Sequence, residues 1–186
     1  MDATIDVVRA KGYTATRIDD IAAAAGVTKG SFFHHFPTKE ACARAAADHW
    51  GERSEAVFVA SGHRNAPTAA ARVLAYIDFR IAILEGPVVN YTCYVGTVLE
   101  EVHNTMPDLA ADCAGVMFQH AKTLEPDLRT ALGDEGEEAP DLAVHIQGVI
   151  QGALLIAKAE GANNKARASL NHLRRYLEAR LKERLQ

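Results

Sequence analysis

The segment from Thr28 to His34 carries side chains that are suited to contacts with nucleic acid. Within seven positions it offers two hydroxyl groups, a lysine, two aromatic rings and an imidazole. Hydroxyl and ammonium groups donate hydrogen bonds to phosphate oxygens or base edges, and an aromatic ring can contact a thymine methyl group. If a helix begins in this segment, the backbone N–H groups of its first turn also favour a phosphate. The residue types therefore predict a surface that reads double-stranded DNA.

Two short helices must position these side chains. The first is predicted over residues 17–25, because Thr16 and Asp19 form a capping-box pattern at its beginning. The second is predicted over residues 29–35, with Thr28 as its N-cap. The side chains expected to form their shared core are Ile21, Val27, Phe32 and Phe36. Two short helices joined by a tight turn predict a helix-turn-helix, whose second helix enters the major groove.

Residues 12–42 resemble the DNA-binding motif of the TetR family of bacterial transcriptional regulators. The matching positions are Gly12, Tyr13, Thr16, Ile21, Ala22, Ala25, Gly26, Val27, Thr28, Lys29, Gly30, Phe32, Phe33, Phe36, Lys39 and Glu40. The resemblance implies DNA contacts from Thr16, Arg17, Thr28, Lys29, Gly30, Ser31, Phe33, His34 and Lys39. Thr16 and Lys39 would hold phosphate. Phe33 stands where the family usually has tyrosine, so a phenolic hydrogen bond to phosphate would be lost there.

Charge is distributed unevenly along the chain. The 186 residues contain 20 basic and 24 acidic side chains, and the net charge of −4 excludes a uniformly basic nucleic-acid-coating protein. Residues 1–50 hold six of each sign, so the other 14 basic and 18 acidic residues carry the whole −4. We therefore expect few phosphate contacts and a shallow salt dependence. The family's first helix is longer and follows a basic arm, and whether the native start lies upstream of Met1 stays open.

The composition also predicts a cellular compartment. Three widely separated cysteines, Cys42, Cys93 and Cys113, do not form a disulfide framework and suit a reducing environment. The sequence has no run of about 18 uncharged apolar residues and no visible signal-peptide pattern. We therefore expect a cytoplasmic protein with no membrane partner.

The remaining sequence predicts helices throughout, and the predicted fold class is all-α. An N-terminal helix-turn-helix domain is expected over residues 1–50, and a C-terminal helical bundle for ligand binding and dimerisation over residues 51–186. The further predicted helices cover residues 1–11, 39–61, 68–85, 88–104, 107–124, 141–160 and 165–185. Residues 133–140 are expected to form a solvated acidic loop.

Aromatic and polar side chains are mixed into the apolar faces that follow the helix-turn-helix. Small-molecule sites are lined in this way, by a mostly apolar wall with a few polar groups. The candidate lining residues are Trp50, Tyr76, Phe79, Tyr91, Cys93, Tyr94, Met117, Phe118 and His120. Each of them could equally be an ordinary core residue. The family resemblance implies that the domain as a whole binds a small-molecule effector.

Cys93 allows two interpretations. The stretch from Asn90 to Thr97 is similar to a segment of one TetR branch, some of whose members sense electrophiles through a cysteine, so Cys93 is a candidate redox or electrophile switch. The residue before it is Thr92 rather than the glycine of that branch, and no lysine or arginine adjoins it in the sequence. A buried, inert thiol is the alternative.

The last two predicted helices indicate an oligomer interface. The helix over residues 141–160 is apolar around most of its circumference, so it must be covered on more than one side. Two copies of each helix would form a four-helix interface whose two-fold symmetry matches a palindromic operator. The expected interface residues are Ile146, Val149, Ile150, Ala153, Leu170, Leu173 and Leu177. An intramolecular core helix is the alternative.

Two other functions stay open from the sequence alone. Glu100 and His103 form one Glu-x-x-His pair, but a di-iron site needs a second copy and further carboxylates. The common catalytic and nucleotide-binding motifs are absent from the sequence. The preferred interpretation is a repressor, without metal, cofactor or enzymatic activity, that binds an operator as a homodimer and leaves it when an effector binds. A helical-bundle enzyme and a dimerisation protein without DNA contact are the alternatives.

Overall fold

The computed structural model describes residues 1–182, and every regular element in that range is helical. The α-helices are α1 (Asp2–Lys11), α2 (Ile18–Ala25), α3 (Lys29–His35), α4 (Lys39–Ala60), α5 (Ala69–Ala82), α6 (Tyr94–Val102), α7 (Pro107–Lys122), α8 (Glu125–Leu132), α9 (Ala139–Glu160) and α10 (Asn164–Lys182). Short 3-10 turns cover His63–Asn65, Val88–Asn90 and Gly133–Glu138. The predicted all-α class is confirmed. The predicted end of the last helix, near residue 185, lies outside the described residues.

One compact unit comprises residues 1–54 and 92–117. Its core joins Ile5 and Val8 of α1 to Tyr94 and Val98 of α6 and to alanines of α4. A smaller apolar cluster of Ile21, Phe32 and Cys42 holds α2 and α3 against the beginning of α4. The compact unit therefore includes residues 92–117, which the predicted boundary at residue 50 assigned to the second domain.

The other compact unit contains the described residues of 55–91 and 118–182. In it α10 packs along α9 and α5, and α8 packs against α5 and α9. Ion pairs add to this packing: Arg72 of α5 contacts Asp127 of α8 at 2.6 Å, and Arg174 of α10 contacts Asp78 of α5 at 2.5 Å.

The helix predicted over residues 88–104 is wrong in its first half. Val88–Asn90 forms a 3-10 turn, and α6 begins only at Tyr94. Cys93 is the N-cap of α6 in an extended backbone conformation, and its Sγ accepts a hydrogen bond from the backbone N–H of Gly96 at 3.4 Å. A cysteine at this position was not recognised as a cap, because Ser, Thr, Asp and Asn are the usual capping residues.

The acidic loop predicted over residues 133–140 is wrong as a purely solvated segment. Residues Gly133–Glu138 form a 3-10 turn that continues into α9. Arg180 of α10 pairs with Glu135 and, at 2.9 Å, with Glu138. Part of the local negative charge is therefore neutralised by a cation distant in the sequence.

Two details of the helix-turn-helix also differ from the prediction. The capping residue of α2 is Arg17 rather than Thr16, and the Asp20 side chain accepts from the Arg17 backbone N–H at 2.9 Å. Thr16 instead turns inward, and Oγ1 donates to the Gly12 carbonyl at 2.6 Å. Val27 is 44% exposed and does not belong to the core. Both Ile21 and Val27 fit the hydrophobic pattern around the turn, but only Ile21 is buried.

Among the described residues, one apolar stretch within residues 107–160 is long and apolar enough to cross a membrane by length and composition. The structure divides this stretch among α7, α8 and α9. Ile146, Ile150 and Ala153 of α9 are buried inside the unit. Because a core helix passes the same test, the stretch is weak evidence for a membrane span.

Candidate nucleic-acid interface and effector site

The N-terminus of α3 is exposed and locally well defined. Thr28 is its N-cap, and Oγ1 accepts a hydrogen bond from the Ser31 backbone N–H at 3.1 Å. Since a hydroxyl group can accept and donate at once, its proton stays free for a phosphate or a base edge. Lys29, Gly30, Phe33 and His34 are exposed around it, and Ser31 is half-buried. The structure thus brings six of the nine predicted DNA contacts onto one short helix and its cap.

The turn between α2 and α3 fixes the direction of α3. Gly26 adopts the left-handed backbone conformation, with φ of 66°. A residue with a side chain would be strained in this conformation. Phe32 is buried against Ile21, so the ring of Phe33 must project to the other side, where it is 46% exposed. The apolar anchor and the glycine together decide which side chains of α3 face solvent.

Two cations on this surface, Lys29 and Arg17, are exposed and available for contacts with phosphate. Lys29 pairs with Asp19 at 3.1 Å, and both side chains are more than half exposed. An ion pair this exposed contributes little to stability, so a phosphate can replace the carboxylate at small cost. Arg17 is exposed at the beginning of α2 and forms no ion pair with any described residue.

Thr16 and Lys39 were predicted to hold phosphate, but their polar groups point inward. The hydroxyl of Thr16 is committed to Gly12, and its side chain is buried. Nζ of Lys39 donates to the carbonyl oxygens of Tyr13 and Thr16, each at 3.0 Å, and lies 4.3 Å from the centroid of the Tyr13 ring. Burial lowers the pKa of Lys39. Both residues organise the loop between α1 and α2, and the prediction of direct phosphate contacts is corrected for them.

Glu101 of α6 completes this loop and was missed by the sequence interpretation. Its carboxylate accepts from the backbone N–H of Tyr13 at 3.0 Å and of Thr14 at 2.7 Å. Gly12 permits this approach, because a Cβ there would lie 2.3 Å from Oε1 of Glu101, and its φ is +85°. The 88 positions between donor and acceptor left no local signal, and Glu101 was considered only as a neighbour of the Glu100 and His103 pair.

The nine predicted effector contacts are divided between the two compact units. Four of them belong to the unit that contains the helix-turn-helix, where they pack on the core around α1: Trp50, Cys93, Tyr94 and Met117. The Tyr94 hydroxyl donates to the Ala43 carbonyl at 3.0 Å, and burial raises its pKa. Tyr94 belongs to the core of that unit and the other three pack at its edge, and their role as effector contacts stays a prediction. Tyr76, Phe79, Tyr91, Phe118 and His120 lie in the other unit, and Phe118 is 50% exposed.

Cys93 has a cationic neighbour that the sequence did not reveal. The Arg9 guanidinium stacks 5.0 Å from the centroid of the Trp50 ring and interacts electrostatically with Cys93. Desolvation lowers the pKa of Arg9. The thiol is half-buried and caps α6, so the choice between a switch and an inert thiol stays a prediction.

A polar network lies among aromatic rings in the second unit. The Tyr76 hydroxyl lies 2.9 Å from Nε2 of His120 and accepts from Nε of Arg80 at 3.0 Å and from Nε2 of Gln147 at 3.1 Å. Nη2 of Arg80 lies 3.1 Å from Nε2 of His120. The Arg80 guanidinium lies 4.4 Å from the centroid of the Phe58 ring. Tyr76 and His120 were predicted from the sequence, whereas Phe58, Arg80 and Gln147 were not.

The charge state of this network follows from burial. Desolvation, with a smaller repulsion from Arg80, lowers the pKa of His120 to about 3. His120 is therefore neutral at physiological pH, and its Nε2 accepts the hydrogen bonds from Arg80 and Tyr76. The network carries one positive charge, on Arg80, surrounded by neutral polar groups and rings.

Most of the predicted dimer residues are already covered within a single chain. Six of the seven are buried within a single chain: Ile146, Ile150, Ala153, Leu170, Leu173 and Leu177. Val149 is half-buried. These residues join α9 to α10 and to the rest of the unit. This agrees with the alternative interpretation of α9 as an intramolecular core helix. The large apolar residues that are exposed on the described parts of the two helices are Val144, Leu155, Ile156 and Tyr176.

The alternative of a metal site requires several ligand side chains close together. Over the described residues, no three histidine, cysteine, aspartate or glutamate side chains come together in a way that could hold a metal ion. Glu101 binds backbone N–H groups, and His103 lies 2.9 Å from the Asn104 side chain. Of the Glu-x-x-His pair, Glu100 is exposed and His103 has this local contact.

Comparison with known proteins gives two results at the sequence level. Residues 1–46 match the family model described as bacterial regulatory proteins, tetR family. A stretch of 37 residues is 54% identical to the HTH-type transcriptional regulator CymR of Pseudomonas putida. That match covers 20% of this chain and 18% of the relative, so the two share a short segment only.

Solved structures share the fold over nearly the whole chain. A TetR-family regulator from Agrobacterium tumefaciens is 17% identical, with a TM-score of 0.77, and the match covers 94% of this chain and 95% of that one. One from Cytophaga hutchinsonii is 21% identical, with a TM-score of 0.79 over 96% and 90% of the two chains. One from Chloroflexus aurantiacus is 23% identical, with a TM-score of 0.75 over 95% and 92%. At these identities the likeness concerns the fold.

Proposed function

We propose that this chain, whose residues 1–46 match the model of the tetR family of bacterial regulatory proteins, acts as a repressor of that family. In this proposal a homodimer binds a palindromic operator in the cytoplasm and leaves the DNA when a small molecule binds the second unit. The observation that carries the proposal is the exposed N-terminus of α3, where Thr28, Lys29 and Phe33 surround a capped first turn. A helix held in this way presents its first residues to the major groove.

The proposal assigns two roles to the residues around α3. Thr28, Lys29, Gly30, Ser31, Phe33 and His34 contact DNA, and Arg17 adds a phosphate contact. Thr16, Lys39 and Glu101 act as positioning residues, because their hydrogen bonds hold the loop that precedes α2. A dimer would place two copies of α3 on the two half-sites of a palindrome.

Selection of binding sites from a random DNA pool tests this function without knowledge of the operator. We expect a palindromic site with half-sites about one helical turn apart. Lys29→Ala should then weaken binding to the selected site by about fivefold and lower the salt slope by about one ion, as expected for one lost phosphate contact. Fluorescence anisotropy at several salt concentrations measures both.

Lys165→Ala is the matched control, because it also removes one positive charge. Lys165 lies on the second unit, and its side chain is 73% exposed. If the two substitutions weakened DNA binding equally, the effect of Lys29 would come from non-specific charge and not from a contact made by α3. Failure to enrich any sequence would contradict the proposed function.

A further inference from the structure

We propose that the effector is an organic carboxylate with an aromatic body, and that Arg80 pairs with its carboxylate group. This inference rests on the proposed function, because it names the class of molecule that the second unit binds. It concerns the cluster of Arg80, Tyr76, His120 and Gln147 together with the ring of Phe58, named here the Arg80 cluster.

Arg80 lacks the acidic partner that most arginines of this chain have. Eight arginines lie within ion-pair distance of a carboxylate: Arg9, Arg44, Arg53, Arg64, Arg72, Arg167, Arg174 and Arg180. On α5 itself, Arg72 contacts Asp127 at 2.6 Å. No carboxylate of the described residues lies within that distance of Arg80. No described residue therefore supplies a counter-ion for its charge, which lies against the ring of Phe58.

The hydrogen bonds of Arg80 leave one edge of the guanidinium open. Of its five N–H groups, the Nε–H donates to the Tyr76 hydroxyl and one Nη2–H to Nε2 of His120. The two Nη1–H groups and the second Nη2–H have no partner among the described residues. One Nη1–H and the second Nη2–H lie along the Nη1–Nη2 edge, which binds a planar carboxylate through two parallel hydrogen bonds.

The neighbours of Arg80 select for one negative charge and an apolar body. Tyr76, Gln147 and neutral His120 add no charge, so a monoanion balances the site and a dianion would not. The Phe58 ring lies against Arg80, and its centroid is 5.4 Å from those of Tyr76 and Phe79. Rings arranged in this way favour a flat apolar body by edge and offset stacking. Inorganic phosphate, with more charge and no apolar part, should bind poorly.

Titration of the purified full chain with benzoate and 2-naphthoate, by calorimetry, tests the inference. The neutral isosteres benzamide and 2-naphthamide and inorganic phosphate form the comparison arms. We expect the carboxylates to bind at least tenfold more tightly than their amides and than phosphate. Arg80→Gln should lose this preference, and Arg80→Lys should retain part of it, since lysine keeps the charge without the planar edge.

Lys165→Gln, which removes an exposed charge from the same unit, should bind the carboxylates like the unaltered chain. Circular dichroism and thermal melting confirm that each variant is folded. Equal affinity for acid and amide, unchanged binding by folded Arg80→Gln, tighter binding of phosphate, or no binding of either carboxylate at millimolar concentration would each overturn the inference. Selection of an operator by the same protein is a separate readout, so failure here leaves the DNA-binding proposal standing.

Discussion

At the scale of single residues, His120 connects burial to a dependence on pH. Its ring lies between Phe58 and Tyr76, with Arg80 close to Nε2, and His63 and Arg64 contribute further repulsion. All of these lower its pKa, so the folded chain keeps the ring neutral down to about pH 3. The unfolded chain takes up a proton near pH 6.5. Below that pH the unfolded state binds more protons, so the free energy of unfolding must fall as the pH is lowered.

This linkage predicts a measurable difference between the unaltered chain and His120→Gln. Between pH 6.5 and pH 5 the neutral histidine should cost about 2 kcal/mol of unfolding free energy, and glutamine, which still accepts the hydrogen bonds of its neighbours, should not. Urea denaturation followed by circular dichroism at both values measures the difference. His103→Gln, which alters an exposed histidine, serves as the control. The same pH slope in His120→Gln and in the unaltered chain would contradict the assigned charge state.

Single residues were predictable from the sequence where the cause is local. Thr28 was identified as an N-cap because cap and partner are three positions apart. Arg80 was not identified, although it lies one helical turn after Tyr76, because arginines on helices usually face solvent or pair with an acid. The direction in which Thr16 turns depends on the Gly12 carbonyl and on Lys39, so its pattern with Asp19 was misleading.

At the scale of elements, α6 acts as a support for the helix-turn-helix. Its buried residues pack on α1, and Glu101 near its end binds two backbone N–H groups of the loop that leads into α2. Lys39 of α4 binds two carbonyl oxygens of the same loop. The loop is thus held from both sides by charged groups, and we expect a change at Glu101 to affect the position of α2 and α3.

We expect Glu101→Ala to lower operator affinity several-fold without removing a DNA contact. Loss of two hydrogen bonds to a carboxylate should also cost about 1–2 kcal/mol of unfolding free energy. Anisotropy with the selected operator and thermal melting measure the two effects. Glu100→Ala is the matched control, because Glu100 precedes it on α6 and is exposed. If the two variants bind DNA equally well, α6 does not support the reading surface through Glu101.

The helices themselves were predictable because caps, glycines and prolines mark them along the sequence. The bounds of α3 were predicted correctly, and those of α4 and α7 within two residues at each end. The face that each helix buries was harder to predict, because it depends on partners distant in the chain. The contact between Glu101 and Tyr13 is an example. The beginning of α6 was predicted at residue 88 rather than at Tyr94, because the capping role of Cys93 is visible only once the preceding turn is known.

At the scale of the whole molecule, burial within one chain moves the proposed dimer interface to another face of α9 and α10. The leucines first expected there, such as Leu170, are already covered inside the protomer. Val144, Gly148, Gly152 and Ile156 follow one another at intervals of four on α9 and form a stripe along it. A Cβ at either glycine would meet no neighbouring atom within 4 Å, so a second helix could approach closely there. Two-fold pairing of this stripe keeps the four-helix arrangement with different residues in contact.

Substitutions on the two faces of these helices should therefore have different effects. Leu155→Glu, at a side chain 51% exposed beside the stripe, should convert a dimer to a monomer, because symmetry places the new charge in the interface twice. Sedimentation velocity should show the change while the melting temperature of the isolated chain stays nearly constant. Val59→Glu, at an exposed position of α4, should leave the dimer intact. Leu170→Ala should instead lower the unfolding free energy by about 2–5 kcal/mol. Dissociation by Leu170→Ala alone, with Leu155→Glu still dimeric, would restore the face first expected from the sequence.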